Sequence, residues 1–323
     1  MSADGVFVEA PARLHFGVLD LHGGLGRRFG GLGAAIPTPS LLLEATPAGR
    51  IEARGADAER AATLAELARE RLGTGGALIR VHRSIPPHAG LGSGTQLGLA
   101  VARALAELYG IDADGPALAL AAGRGRRSAI GTYAFEGGGF IVEGGRTPGR
   151  EGVAPLLARY TVPASWRYVV AIPEGPPGLS GDAEAEAFRR LPPPDVREVE
   201  RVSHLVLMQL LPSLVESDLD GFGSALSGIQ RITGGWFASG QGGVFAPGLT
   251  GMLVERFRRA GASGVGQSSW GPTAYAIVGG PERAQALAAQ AGEWLGGAGH
   301  IYHGAFDDRG ARTWRGVTNA LRD

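Results

Sequence analysis

Residues 85–96 read Ile-Pro-Pro-His-Ala-Gly-Leu-Gly-Ser-Gly-Thr-Gln, and their types and spacing suit the binding of an anion. Gly90, Gly92 and Gly94 alternate, so backbone N–H groups can approach a ligand with no side chain in the way. Ser93 and Thr95 add hydroxyls and Gln96 an amide, where an apolar helical stretch over 95–109 begins. The N-terminus of that helix adds about half a positive charge aimed at the same point. A strand, a glycine loop and a helix start in this order describe a phosphate cradle. Further along, Arg124, Arg126 and Arg127 suit pairing with phosphate, although such a run also suits a solvated face.

The remainder of the composition narrows the chemistry. Lysine is absent, so all 31 basic residues are arginine. That excludes a Schiff-base lysine, covalently anchored pyridoxal phosphate and a P-loop lysine. Phosphate must be held by arginine, backbone N–H groups or a metal. Cysteine is also absent, which removes disulfides, thiolate nucleophiles and zinc–thiolate sites. The 31 basic residues balance 31 acidic ones, which speaks against a nucleic-acid or acidic-membrane partner. No apolar run is long enough to span a bilayer, and the first residues lack a signal-peptide core. A soluble, cytoplasmic protein is expected.

The elements that must position the cradle follow from pattern and punctuation. Strands are expected at 6–8, 12–19, 41–45, 77–85 and 137–145, with a glycine-rich loop over 23–33. Helices are expected at 56–72, stopped by Gly73, and at 95–109. The Pro/Gly/Arg-rich stretch 144–155 marks a boundary, giving domains 1–150 and 151–323. In the second domain, helices are expected at 195–211 and 213–231, split by Pro212, and at 251–260 and 281–296. Strands are expected there at 166–172, 274–278 and 300–303. Both halves mix strands and helices, so the class is α+β.

Three segments together resemble the GHMP kinases. Pro86-Pro87-His88-Ala89-Gly90-Leu91-Gly92-Ser93-Gly94-Thr95 is similar to their P-x-x-x-G-L-G-S-S-A motif, and Pro11–Gly17 to their first motif. Gly264–Thr273, ending Gly-Pro-Thr, is similar to the third. Four stretches, around Arg13–Leu21, Pro86–Gln96, Gly123–Phe140 and Gly266–Tyr275, resemble one branch, the β-ribofuranosylaminobenzene 5′-phosphate synthases. The resemblance implies a two-domain fold, with a left-handed βαβ crossover in the first domain and a ferredoxin-like second domain. It also implies a homodimer. The implied reaction joins phosphoribosyl pyrophosphate to 4-aminobenzoate or 4-hydroxybenzoate. An aryl C-riboside 5′-phosphate, CO2 and pyrophosphate result, in methanopterin-type cofactor biosynthesis.

One departure separates the chain from the kinases. Their catalytic aspartate aligns with Ile130 or Gly131, neither of which can deprotonate an attacking hydroxyl. An ATP-dependent kinase is the alternative reading and would need a replacement.

If the resemblance holds, the 90–96 cradle with Arg126, Arg127 and Mg2+ stabilises departing pyrophosphate. One such donor is typically worth ~3 kcal/mol. Asp20, His15 and His88 are base candidates, with core or capping roles as the alternatives for the histidines. Arg13, Arg27 and Arg28 are candidates for the carboxylate or a phosphate. Gln267, Ser268, Ser269 and Trp270 are candidates for closing over the aromatic acid, Trp270 by stacking or simply as core. Glu136, Glu143 and Asp20 are the magnesium candidates, although pyrophosphate itself can hold the ion. Electron donation from the para substituent and loss of CO2 need no pyridoxal phosphate. Pro173–Gly181 is too constrained for a random linker and receives no role.

Overall fold

The computed structural model describes residues 4–317, apart from 176, 177 and 180. The role of the 173–181 segment therefore lies partly outside the described residues. The chain opens with β1 (Asp4–Asp20), β2 (Phe29–Ala48) and β3 (Glu52–Gly55), followed by α1 (Ala58–Leu72) and β4 (Gly76–Arg83). Then come α2 (Ser93–Tyr109), α3 (Gly115–Ala121), α4 (Ile130–Gly137), β5 (Phe140–Glu143) and β6 (Leu156–Tyr160). The second half holds β7 (Trp166–Pro173), α5 (Gly181–Arg190), α6 (Val196–Leu205), α7 (Leu211–Val215), α8 (Leu219–Gln241) and α9 (Leu249–Arg259). It ends with β8 (Gly264–Gln267), β9 (Ala274–Gly279), α10 (Pro281–Leu295), β10 (Gly299–Gly304) and β11 (Arg312–Val317).

Two sheets organise these elements, and the fold is α+β as expected. The first runs β11-β1-β2-β4-β3, with β5 and β6 branching from β2. Parallel pairing there is confined, among the described strands, to β3 and β4, which α1 connects. The second sheet has the order β10-β7-β9-β8, which is the antiparallel arrangement of a ferredoxin-like domain. The sequence boundary at 150 differs from the sheets. β6 still pairs with β5, and β11 returns from the far end of the chain to pair with β1.

Two local expectations also change. The glycine run over 23–33 is a loop only as far as Arg28, and Gly30–Gly33 belong to β2. A Cβ at Gly33 would lie 2.4 Å from Ile130 Cγ2 and 2.5 Å from the Leu14 carbonyl. The glycines there allow α4 to press against the strand. Pro212 does not split the helices, since Leu210 and Leu211 before it keep right-handed helical backbone. A π-helical turn, Val206–Leu210, links α6 to α7. The break comes at Ser217, which adopts a left-handed φ of 60° that is uncommon for a residue with a side chain, before Asp218 caps α8.

α2 is the buried axis of the first domain, with Gln96–Ala102 and Ala104–Ala106 all enclosed. Its N-terminus reaches the junction of the two domains. There the Ser268 hydroxyl donates to the Gly90 carbonyl at 2.7 Å and Thr273 Oγ1 to the Ala89 carbonyl at 2.6 Å. Gln230 Nε2 on α8 donates to the Phe16 carbonyl at 2.6 Å.

Candidate active site

A cavity of about 580 Å3 opens at this junction. The loop before α2 forms one end. Gly90 and Gly92 take φ of 79° and 82°, and a Cβ at Gly90 would meet the Ser268 carbonyl at 2.2 Å, so only glycine fits there. No side chain caps α2 and no acid occupies its first turn, which leaves its N-terminal dipole facing the cavity. Ser93, Gly94 and Thr95 line this end with Arg60, Arg124 and Arg126. A Cβ at Gly94 would lie 2.9 Å from Arg60 Nη2 and 3.4 Å from Arg124 Nη2, so two guanidinium groups flank the helix start. Burial, then the like charges of Arg60 and Arg126, lower the pKa of Arg124. Its Nε is enclosed without a hydrogen-bond partner.

β1 supplies the floor. Arg13 donates to the Gly90 carbonyl and has its pKa lowered by burial to about 10, partly offset by Glu184. His15 is 7% exposed, and burial, then Arg13, lowers its pKa to about 3, so its imidazole is neutral. Its backbone N–H donates to Ser268 Oγ at 3.0 Å, and its Nε2 lies 3.3 Å from Ser128 Oγ. His88, at φ 55°, also lines the cavity, and its carbonyl accepts the Gly178 N–H at 2.9 Å.

Another part of the lining is aromatic. Phe29, Phe188, Phe237 and Trp270 make it up. Phe188 meets Phe29, Phe237 and Trp270 edge-on at 5.6, 5.7 and 5.5 Å, and Phe237 meets Trp270 at 4.8 Å. Such a box suits the face and edge of another aromatic ring. Arg127 also lines the cavity, paired with Glu184 of α5 and lying over the Phe188 ring at 5.7 Å.

Of the sequence candidates, the cavity gathers Arg13, His15, His88, Gly90, Gly92, Ser93, Gly94, Thr95, Arg126, Arg127, Gln267, Ser269 and Trp270. Gln267 is a brace within it, accepting from the Ala246 N–H and donating to Gln241 and the Ser269 carbonyl. Others lie elsewhere. Gln96 is enclosed and donates to the Gly131 carbonyl. Ser268 is wholly buried as the joint between the domains. Asp20 accepts the Gly23 N–H at 2.8 Å and closes the turn after β1. Arg27 donates to the carbonyls of Gly144 and Gly145, and Arg28 to that of Leu21. These three organise the turn beside the cavity and do not line it.

The magnesium candidates are not brought together. Glu136 pairs with Arg159 and faces a separate hollow beside Asp112 and Asp114. Glu143 is enclosed at the end of β5, with Oε2 accepting the Gly145 N–H and Oε1 unpartnered. Burial raises its pKa to about 7. Among the described residues no group of three or more potential ligands converges, and Glu184 is the one carboxylate lining the cavity. Among the described residues the protein's own carboxylates therefore do not fit a protein-held Mg2+.

Sequence reasoning missed Arg60, Ser128, Phe29, Glu184, Phe188 and Phe237. Arg60 and Glu184 sit on charge-rich helices whose pattern matches a solvated face. Ile130, where a kinase aspartate aligns, is core, and Gly131 lines the cavity with no side chain.

The fold is that of the GHMP kinases. The family model described as GHMP kinases N terminal domain matches residues 59–139, and that described as GHMP kinases C terminal matches 210–296. A homoserine kinase from Cytophaga hutchinsonii superposes with a TM-score of 0.68 at 18% identity, covering 96% of this chain and 98% of that one. Within that fold the chain belongs to the β-ribofuranosylphenol 5′-phosphate synthase family. The relative of that name from Methanothermobacter thermautotrophicus is 36% identical over 84% of this chain and 88% of its own length. The one from Archaeoglobus fulgidus is 36% identical over 84% and 87%. Both names carry a phenol, where the sequence resemblance was to the aminobenzene form of the same product.

Proposed function

We propose that the chain transfers the phosphoribosyl group of phosphoribosyl pyrophosphate to 4-hydroxybenzoate or 4-aminobenzoate, in methanopterin-type cofactor biosynthesis. The C1–pyrophosphate bond breaks, the ring carbon bearing the carboxylate bonds to C1, and loss of CO2 restores the aromatic ring. The products are an aryl C-riboside 5′-phosphate, CO2 and pyrophosphate. The phenol in the relatives' names favours the hydroxy acid.

The observation that carries this reading is one cavity with two unlike ends. Glycine N–H groups with Arg60, Arg124 and Arg126 suit the pyrophosphate, and the aromatic box suits the ring. Leaving-group charge develops against Ser93–Thr95 and Arg124, where fixed donors need no reorganisation. His15 and His88 both line the cavity; burial holds His15 neutral and opposes its protonation, so His15 serves as a hydrogen-bonding group and His88 is the base candidate on this reading. Magnesium, on this reading, arrives on the pyrophosphate. A cytoplasmic homodimer belongs to the same proposal on the resemblance alone.

The test supplies carboxyl-labelled 4-hydroxybenzoate and 4-aminobenzoate separately, with phosphoribosyl pyrophosphate and Mg2+. Equal release of labelled CO2 and pyrophosphate is expected, fastest with the hydroxy acid. No CO2 from either acid overturns the proposal, and ATP consumption without pyrophosphate release would establish a kinase.

A further inference from the structure

We infer that the Glu184 carboxylate occupies the seat of the aryl acid's own carboxylate, and that the acid enters by displacing it from Arg127. The inference rests on the proposed reaction and names the residues that select one of its substrates. Glu184 is the one carboxylate lining the cavity among the described residues, and it is inserted into an otherwise cationic wall. It pairs with Arg127, and its charge also favours the protonated form of Arg13. Arg127 lies over Phe188, which meets the three other rings of the aromatic box. A carboxylate, the guanidinium it pairs with and an aromatic wall thus meet at one place. Replacing the Glu184 carboxylate by that of a benzoate would put the benzoate ring beside the wall and preserve the ion pair.

The other end of the cavity carries no such stand-in. Arg124 is flanked by Arg60 and Arg126, and no carboxylate is paired with it. Pyrophosphate meets Arg124 there with no carboxylate to displace, Arg60 being paired with Asp57 outside the cavity lining, whereas the aryl acid must exchange one carboxylate for another. The two sites therefore differ in the work needed to fill them. α5 carries both Glu184 and Phe188, so release of Glu184 and adjustment of the aromatic wall occur on one helix.

Calorimetric titration with benzoate, which lacks the para donor, and separately with pyrophosphate tests this on the full chain. Glu184→Gln keeps the shape and removes the competing charge, and is expected to bind benzoate at least threefold more tightly than the unmodified protein. Arg127→Met is expected to bind benzoate at least tenfold more weakly. Glu184→Gln should bind pyrophosphate within twofold of the unmodified protein, and Arg127→Met should lose less affinity for pyrophosphate than for benzoate; measurable pyrophosphate binding also verifies that both are folded. Glu184→Gln binding benzoate equally, more weakly or not at all overturns the inference. So does Arg127→Met losing pyrophosphate as severely as benzoate. If the unmodified protein releases CO2 in the coupled assay, those results remove this inference alone. No CO2 release removes the parent reading instead.

Discussion

At the anion end of the cavity, the ligand-facing groups come from the first domain, and several are backbone N–H groups held by the 90–94 loop and the first turn of α2. At the aromatic end, Phe29, Phe188, Phe237 and Trp270 come from four elements spread over more than 200 positions. The first end is fixed by local conformation, since Gly90 and Gly92 adopt φ near 80° and α2 starts at once. The second is fixed by packing, ring edge against ring face. A backbone-built site is rigid and indifferent to the sugar it serves. A site built from side chains can be re-tuned ring by ring, so aryl selectivity belongs there.

Substitutions at the two ends should therefore behave differently. The largest expected effect is at Arg124. Arg124→Met should lower kcat/KM for phosphoribosyl pyrophosphate by ~100-fold or more, the usual loss for one donor to developing charge. A loss below tenfold in steady-state kinetics would remove Arg124 from the leaving-group site. Phe188→Ala should come next, raising KM for the aryl acid about tenfold, or ~1.4 kcal/mol, while pyrophosphate affinity stays unchanged. Equal weakening of both ligands would show that the ends are not separable.

The floor of the cavity gives a smaller signal, read as stability against pH. His15 falls to about 3 in the folded chain, so the unfolded chain binds the extra proton. Its contribution should grow as pH rises from about 3 to about 6.5 and then level off. Glu143 rises to about 7 and acts oppositely, with stability falling between about 4.5 and about 7. Denaturant unfolding across pH should show the difference from His15→Asn climbing with pH and that from Glu143→Gln declining, each by at least about 1 kcal/mol. Flat difference curves would mean that neither group changes its proton affinity on folding. The smallest effect belongs outside the cavity. Glu136→Gln should leave turnover within twofold and cost at most about 1 kcal/mol, since its pair with Arg159 is partly exposed. A tenfold loss of turnover that extra Mg2+ rescues would restore Glu136 as a metal ligand.

The same contrast explains what could be read in advance. The cradle was legible because its chemistry is written in consecutive residues, with a strand before it and a helix after. Trp270 was legible through the Gly-Pro-Thr motif beside it, and the aromatic box was not. Phe188 sits in Ala-Glu-Ala-Glu-Ala-Phe-Arg-Arg, a pattern that any surface helix shares, and only the tertiary fold turns it inward. Gly30–Gly33 misled for a related reason. Glycine there makes room for Ile130, a residue about 100 positions away, and so permits a strand rather than a loop. Arg27 and Arg28 had the right chemistry and the right neighbourhood, but their guanidinium groups are spent on carbonyls of the adjacent turn.

The return of β11 to pair with β1 bears on how the molecule is made. The strand carrying Arg13 and His15 leaves the ribosome about 300 residues before its partner, for its outer edge, Asp4–Glu9, is matched by Arg312–Val317. At about 5–20 residues per second, that edge stays open for roughly 15–60 s of synthesis. An unpaired strand is a template for adventitious pairing with another chain. The nascent protein must keep β1 apart from its neighbours until β11 arrives, and a chain cut before Arg312 would keep that edge uncovered for good.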